Sequence, residues 1–298
     1  MDFHTFIRAV GTGPKSNREL TQEEMKDCIR QILNQEVSSE IIVAFLLGWR
    51  VRLETNAELK ATLDVCNEYI TKVNIPNSIE LGFPYDGKTD ATYLFPLVGK
   101  YLKKFDLNIV VSGDLMQPAK SGITIKDIAT NIKLDDNIHY FDRSEFLPKL
   151  SAITNLRRIL KLRSAFNTVE KLLNPANSRF ALTSAYHKPY VEKYSEIFAS
   201  NYEKFVVVKA AEGRPEIFNK SKAWVKTQNG LEEFIIDPEY YGINYNKTFE
   251  KITLEEAIEE INNPSADLEK LAKLNAALHL FCANKADDIN SAYEMLDL

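Results

Sequence analysis

Three cysteines (Cys28, Cys66 and Cys282), far apart and with no CxxC pair, give this 298-residue chain neither a disulfide framework nor a zinc cluster. Histidine is as sparse. His4, His139, His187 and His279 share no HExxH or paired metal spacing. No GxSxG elbow and no Cys/His nucleophile arrangement is present. There is no apolar run of about 18 residues, so no membrane-spanning helix is expected. The opening MDFHTFIRAV lacks the apolar centre and small-residue cleavage site of a secretory signal. No internal repeat and no low-complexity linker breaks the chain. Together these absences point to a cytoplasmic protein with reduced, buried thiols.

What remains is ordinary in bulk and uneven in detail. The apolar fraction of 45% and charged fraction of 27% are those of a globular protein with room for two modest domains or one large one. The net charge of −5 argues against a generally basic nucleic-acid coat. It hides a segregation: Pro148 to Phe180 carries seven cations and one acid, whereas Leu231 to Lys270 carries eleven acids and three lysines. The basic segment centres on RRILKLRSAFNTVEKLLNP, residues 157–175, with Arg157, Arg158, Lys161, Arg163 and Lys171 against Glu170. Apolar residues recur beneath them at Leu156, Ile159, Leu160, Phe166, Val169, Leu172 and Leu173, and Asn174-Pro175 stops the pattern. Such a run presents a cluster of cations to a polyanion, or is only a solvated helix face.

Helix signals dominate the first 72 residues. Thr21-Gln22-Glu23-Glu24 is a capping box ahead of Met25, Cys28, Ile29, Ile32 and Leu33; a second helix begins near Ser38 or Ser39; Thr55 to Glu58 caps a third. Gly11-Thr12-Gly13-Pro14-Lys15 has neither P-loop spacing nor a preceding strand and reads as a connection. After Pro76 the texture changes. Leu107–Val111, Phe205–Val208, Trp224–Lys226 and Phe234–Ile236 read as strands. Helices are expected at Thr92–Phe105, Thr124–Asn131, Lys188–Ser200, Thr253–Ile261 (opened by another capping box, Thr253-Leu254-Glu255-Glu256) and Leu268–Ala283. The fold class is therefore α/β: a small all-helical domain plus a larger α/β domain with a largely parallel central sheet. Two further stretches sit where strand-end turns bind ligands. Leu81 to Lys88 (LGFPYDGK) is one, although Asp86-Gly87 also fits a plain tight turn. Glu212 to Glu216 (EGRPE) after FVVVK is the other, fit to hold a metal-phosphate or merely to close a loop.

The helical pattern LTQEEMKDCIRQILNQEVSSEIIVAFLLGWRVR, then YDGK, then RRILKLRSAFNTVEKLLNP, resembles the anthranilate phosphoribosyltransferase family, glycosyltransferase family 3. VGTGPKSNRELT and LRSAFNTVEKLLNP bring the likeness nearest its YbiB-type branch, and LNAALHLFCANKA resembles the family's last helix. The resemblance implies a nucleoside phosphorylase/phosphoribosyltransferase-like architecture. Residues 1–72 would form the helical domain, completed by an insertion at about 148–180, and 73–147 with 181–298 the α/β domain. It also implies a homodimer through the helical domains. The family's cleft holds phosphoribosyl pyrophosphate, magnesium and anthranilate.

The motifs depart from that pattern. The glycine-rich GTGGDG loop falls on Gly82-Phe83-Pro84-Tyr85-Asp86-Gly87, where proline removes an N–H and tyrosine adds bulk. The KHGNR segment falls on Val111 to Leu115 and keeps only Gly113. The magnesium-binding Asp-Glu pair falls on Pro215-Glu216. Arg157 matches the arginine that contacts anthranilate, and Lys161 stands in place of a glycine. Three readings follow. In the first, as in the YbiB-type branch, the chain binds DNA or RNA without sequence preference through Lys88, Arg157, Arg158, Lys161, Arg163 and Lys171, with Phe83, Tyr85 and Tyr186 available to stack on bases. No cofactor is then expected. In the second it is a phosphoribosyltransferase acting with phosphoribosyl pyrophosphate and Mg2+ on an aromatic or heterocyclic acceptor. Gly82, Tyr85, Asp86, Gly87, Lys88, Glu212 and Glu216 would bind phosphate and metal, and Arg157 the acceptor. The third is a dimeric scaffold contacting partners through its acidic C-terminal region.

Overall fold

The structure, a computed structural model, describes residues 1–115, 121–246 and 249–297. Four helices open it: α1 (Phe3–Gly11), α2 (Gln22–Leu33), α3 (Ser39–Arg52) and α4 (Asn56–Tyr69). Then come β1 (Ser78–Gly82), α5 (Phe95–Leu102), β2 (Asn108–Gly113), α6 (Ile125–Asn131) and β3 (Ile138–Asp142). Four short helices return to the helical unit: α7 (Arg143–Phe146), α8 (Pro148–Ala152), α9 (Thr154–Leu160) and α10 (Phe166–Val169). The chain then forms β4 (Phe180–Ser184), α11 (Lys188–Phe198), β5 (Lys204–Val208), the hairpin β6 (Ser221–Thr227) and β7 (Gly230–Ile236), and α12 (Leu254–Asn262), α13 (Ala266–Cys282) and α14 (Ile289–Met295).

The capping boxes are built as the spacing predicts. Thr21 accepts from the Glu24 N–H and Glu24 from the Thr21 N–H, and the Thr55/Glu58 and Thr253/Glu256 pairs repeat the arrangement. Glu58 does more. Its buried carboxylate also takes the Leu20 N–H at 2.9 Å and the Trp49 indole N–H at 2.9 Å, tying α3 and α4 to the chain ahead of α2. Gly11 ends α1, and Thr12 to Lys15 are the connection after it. Missed by the sequence reading were α1, α7, α8, α14 and the strands β1, β3 and β4. The Arg157 to Pro175 segment is not one helix. Lys161 adopts a left-handed conformation (φ 53°) that ends α9, and Ile159 points to solvent.

The seven strands run in the order β3-β2-β1-β4-β5-β6-β7. Every pairing from β3 to β5 is parallel, and the hairpin β6–β7 joins β5 antiparallel. The chain leaves β1 towards β2 and β3, then returns to the other side of β1 for β4. The crevice outside the carboxyl ends of β1 and β4 is thus the switch point where open α/β sheets bind ligands. Alternation along the strands divides the core in two. Leu182, Val206 and Val208 face α5, α12 and α13, while Ala181, Phe205 and Val207 face the helical unit with Phe45, Trp49, Phe146 and Phe166. Among the described residues no helix is long and apolar enough to cross a membrane.

One buried carboxylate joins these layers. Glu80 on β1 accepts the Asn174 N–H at 2.9 Å and the Tyr202 hydroxyl. Burial pushes it up to about 7, against the lowering effect of Tyr202, the Asn174 N–H and nearby Lys72. An acid whose folded pKa exceeds its unfolded value of about 4.3 stabilises the fold fully at low pH. It loses that contribution as pH rises through the folded pKa, here up to about 4 kcal/mol. Glu80→Gln removes the charge, keeps an acceptor for the Asn174 N–H and turns the Tyr202 contact into one that the amide donates. Urea midpoints should therefore show the variant gaining on the wild type between pH 5 and pH 8. A gap that does not change with pH would contradict this.

Candidate active-site cleft

Every candidate residue lies just beyond a strand end, where the sheet hands the chain to a loop. After β1, the stretch from Phe83 to Lys88 turns inward. Phe83 packs edge-on against Tyr93 (5.3 Å) and Phe95 (6.2 Å), and Tyr85 lies under the Arg143 guanidinium at 4.7 Å. Both aromatics are buried, so neither is available to stack on a base. Gly87 has φ +76°, and a Cβ there would sit 2.5 Å from the Gly122 carbonyl carbon. Two glycines back to back are what let the Lys88–Ile123 bridge close. Lys88 is then wholly internal. Its ammonium meets Glu216 Oε2 at 2.5 Å and the Thr92 carbonyl, over the rings of Tyr93 (4.5 Å) and Phe218 (5.0 Å). Burial lowers its pKa to about 8, opposed by the Glu216 charge.

Beyond β2 and β3 lies a cluster of paired charges. Arg143 donates to Asp114 Oδ2 from Nε (3.0 Å) and Nη2 (2.7 Å), to Thr154 Oγ1 (2.7 Å), and to Glu170. Arg157 donates to both Glu170 oxygens at 2.8 and 2.9 Å and to Asn167 Oδ1 at 3.1 Å. All four charged side chains are buried. A buried ion survives only if paired and hydrogen-bonded, and here two carboxylates neutralise two guanidiniums.

The basic strip expected from the sequence is therefore dismantled. Lys88 and Arg157 are interior ion-pair partners. Lys171 is buried too, its ammonium on the Ser184 carbonyl (2.8 Å) and over the Tyr194 ring (4.9 Å). Arg158 and Lys161 stay exposed, and Arg163, half-exposed, reaches across to pair with Asp86. The charge count could not foresee this, because Asp86 and Glu216, which pair with Arg163 and Lys88, lie far from them in sequence.

What opens instead is a cavity of about 480 Å³ between the helical unit and the ends of β1 and β4. Arg50, Arg163, Lys171 and Lys193 supply four cations against Glu54 and Asp86, and Tyr186, Tyr190 and Tyr194 supply rings. Three further lining groups are buried oxygens with no hydrogen-bond partner: Asp86 Oδ1, Ser164 Oγ and Ser184 Oγ. Buried polar atoms left unpaired are costly and mark places where a ligand supplies the missing bond. The sequence reading missed Arg50, Ser184, His187, Tyr190, Lys193 and Tyr194. Reading β4 from FALTS would have put Tyr186 and His187 at a strand end, and Tyr190/Tyr194 are one helical turn apart.

The residues assigned to magnesium do not fit it. Glu216 commits Oε2 to Lys88 and Oε1 to the Leu94 N–H (2.6 Å), and Pro215 beside it has no carboxylate. Arg214 pairs with Asp90. The side chain of Glu212 lies outside the described residues. Among the described residues no three His, Cys, Asp or Glu side chains come together as a metal set.

A helical bundle set on a mostly parallel sheet, with a cationic cleft at the switch point, is the architecture of a class of glycosyltransferases. Residues 4–69 match the Glycosyl transferase family helical bundle domain and residues 123–297 its a/b domain, and the chain belongs to this family, glycosyltransferase family 3. An uncharacterized protein of Aquifex aeolicus is 30% identical over 77% of this chain and 75% of its own length. An anthranilate phosphoribosyltransferase of Neisseria meningitidis is 27% identical over 95% of this chain and 88% of its own. Two solved structures share the fold. Anthranilate phosphoribosyltransferase from Saccharomyces cerevisiae, in complex with PRPP and Mg, has a TM-score of 0.77, 12% identity, and coverage of 99% of this chain and 93% of that one. The enzyme from Thermus thermophilus has a TM-score of 0.75, 17% identity and the same coverage.

The burial pattern makes opposite forecasts for two neighbours. The Tyr85 hydroxyl is buried and lacks a hydrogen-bond partner, so Tyr85→Phe should stabilise the fold by about 1 kcal/mol. Arg143→Met leaves Asp114 without its cation and Glu170 with Arg157 alone, and should cost about 3–5 kcal/mol. Denaturant titration measures both. A Tyr85→Phe variant weaker than the wild type would mean that the hydroxyl has a role.

Proposed function

We propose that this protein is a pentosyl-transferring member of its family, and that its cleft receives an anionic aromatic or heterocyclic acceptor. The observation that carries the reading is the pairing, in one 480 Å³ cavity, of four cations and three tyrosines with unpartnered hydroxyl and carboxylate oxygens. Cations meet an acid group, rings stack on a ring, and the oxygens fix orientation. The names of relatives that cover nearly the whole chain support phosphoribosyl transfer. Catalysis would be positioning plus stabilisation of a cationic, oxocarbenium-like sugar carbon. Asp86, with one oxygen on Arg163 and the other unpartnered, is the carboxylate of this chain placed to face such a charge. The cleft cations are the groups available to a donor's phosphates.

Anthranilate and phosphoribosyl pyrophosphate, added separately and together at millimolar concentration, should raise the melting temperature, since each would bind the native state. Together they should deplete anthranilate fluorescence. Arg163→Ala should weaken the anthranilate response about tenfold, roughly 1.4 kcal/mol. No thermal response to either compound would sink the proposal.

A second reading, nucleic-acid binding, has its own observation in support. Tyr186, 60% exposed, lines both the cleft and an adjacent cavity of about 400 Å³ flanked by Lys209, Lys220 and Lys222. On this reading a single strand would follow these cations, with Arg158 and Lys161 as further exposed positive charges. On this reading Lys209→Glu with Lys222→Glu abolishes retardation of a short oligonucleotide, and wild-type binding falls steeply with salt. Salt-independent binding, or none, removes it.

A further inference from the structure

We infer that the ammonium of Lys88 occupies the cation position of the donor subsite, so that this protein works without a divalent metal at Glu216. The inference rests on the pentosyltransferase reading for what the subsite is, but not for what fills it.

Lys88 Nζ has the surroundings of a bound cation. It has two oxygen partners, Glu216 Oε2 at 2.5 Å and the Thr92 carbonyl, and the faces of two aromatic rings at 4.5 and 5.0 Å. Its side chain has no exposure and that of Glu216 3%. An ammonium has three protons, and oxygens with π faces account for them. Glu216 is equally committed, since its other oxygen holds the Leu94 N–H at 2.6 Å and so fixes the start of α5.

Charge balance points the same way. Arg214, its guanidinium 4.3 Å from the Phe218 ring and paired with Asp90, stands beside Lys88. Among the described residues, Lys88 has its carboxylate in Glu216 and Arg214 in Asp90. A divalent ion would bring two more positive charges next to Lys88 and Arg214, in a setting where the interior screens charge poorly. It would also need hard oxygen ligands that are already taken. The lysine is placed by the back-to-back glycines Gly87 and Gly122.

Manganese alone, followed by electron paramagnetic resonance and by thermal melting, tests this without any substrate. Wild-type protein should show no saturable Mn2+ site up to several millimolar and no rise in melting temperature. Lys88→Ala removes the internal cation and exposes the Glu216 carboxylate. Its melting temperature should fall, and millimolar Mn2+ should recover part of the loss. The double variant Lys88→Ala/Glu216→Gln should not respond to Mn2+. Saturable Mn2+ binding by the wild type that Glu216→Gln abolishes would overturn the inference, as would a Lys88→Ala protein that folds and ignores Mn2+. Should Lys88→Ala not fold, the comparison of wild type with Glu216→Gln still decides. The pentosyltransferase reading fails in a different assay, when neither anthranilate nor phosphoribosyl pyrophosphate shifts the melting curve.

Discussion

The pairing of Arg143 and Arg157 with Asp114 and Glu170 is the constraint on which this structure depends. Arg143 follows β3, Asp114 follows β2, and Arg157 and Glu170 belong to α9 and the end of α10. The four thus connect the sheet to the helical insertion. None could be buried without the others, because an isolated ion inside a protein costs far more than its contacts return. The insertion must therefore dock in one orientation. That orientation brings Arg163 to Asp86 and Lys171 to the carbonyl of Ser184, which forms two walls of the cleft.

The same constraint explains how the chain differs from the pattern it resembles. Where a glycine-rich loop would leave room for a diphosphate, Phe83 joins the aromatic cluster with Tyr93 and Phe95, and Tyr85 underlies Arg143. Where two carboxylates would hold a metal, one remains and a lysine sits on it. Each replacement fills volume or balances charge left by another. The sheet order and the greater part of the two-sided core rest on residues elsewhere in the chain.

Legibility in the sequence followed the range of the interactions. Local devices were readable: the capping boxes at Thr21, Thr55 and Thr253, and α6 from Thr124, rest on contacts three residues apart. SIELG, IHYFD and FALTS escaped notice because polar or small residues interrupt their apolar runs, whereas the equally short KFVVV keeps four apolar residues in a row. The basic segment was counted correctly but placed wrongly. Its one internal acid, Glu170, serves two arginines at once, and Asp114 and Asp86 arrive from other strand ends. Net charge along a segment says nothing of pairing across the fold. The cleft's unpartnered serines lie beyond any sequence pattern, since only packing makes a hydroxyl buried.

The Arg163–Asp86 contact has one more consequence. An acid group arriving from solvent does not find Arg163 vacant; it finds it held by a carboxylate whose own side chain is almost wholly shielded from water. Binding is then an exchange of one anion for another. Each occupant that takes the guanidinium leaves Asp86 needing a new donor, which a hydroxyl or ring N–H on the incoming molecule can provide. On the proposed reading, selection would fall on molecules that carry an anion and a donor side by side.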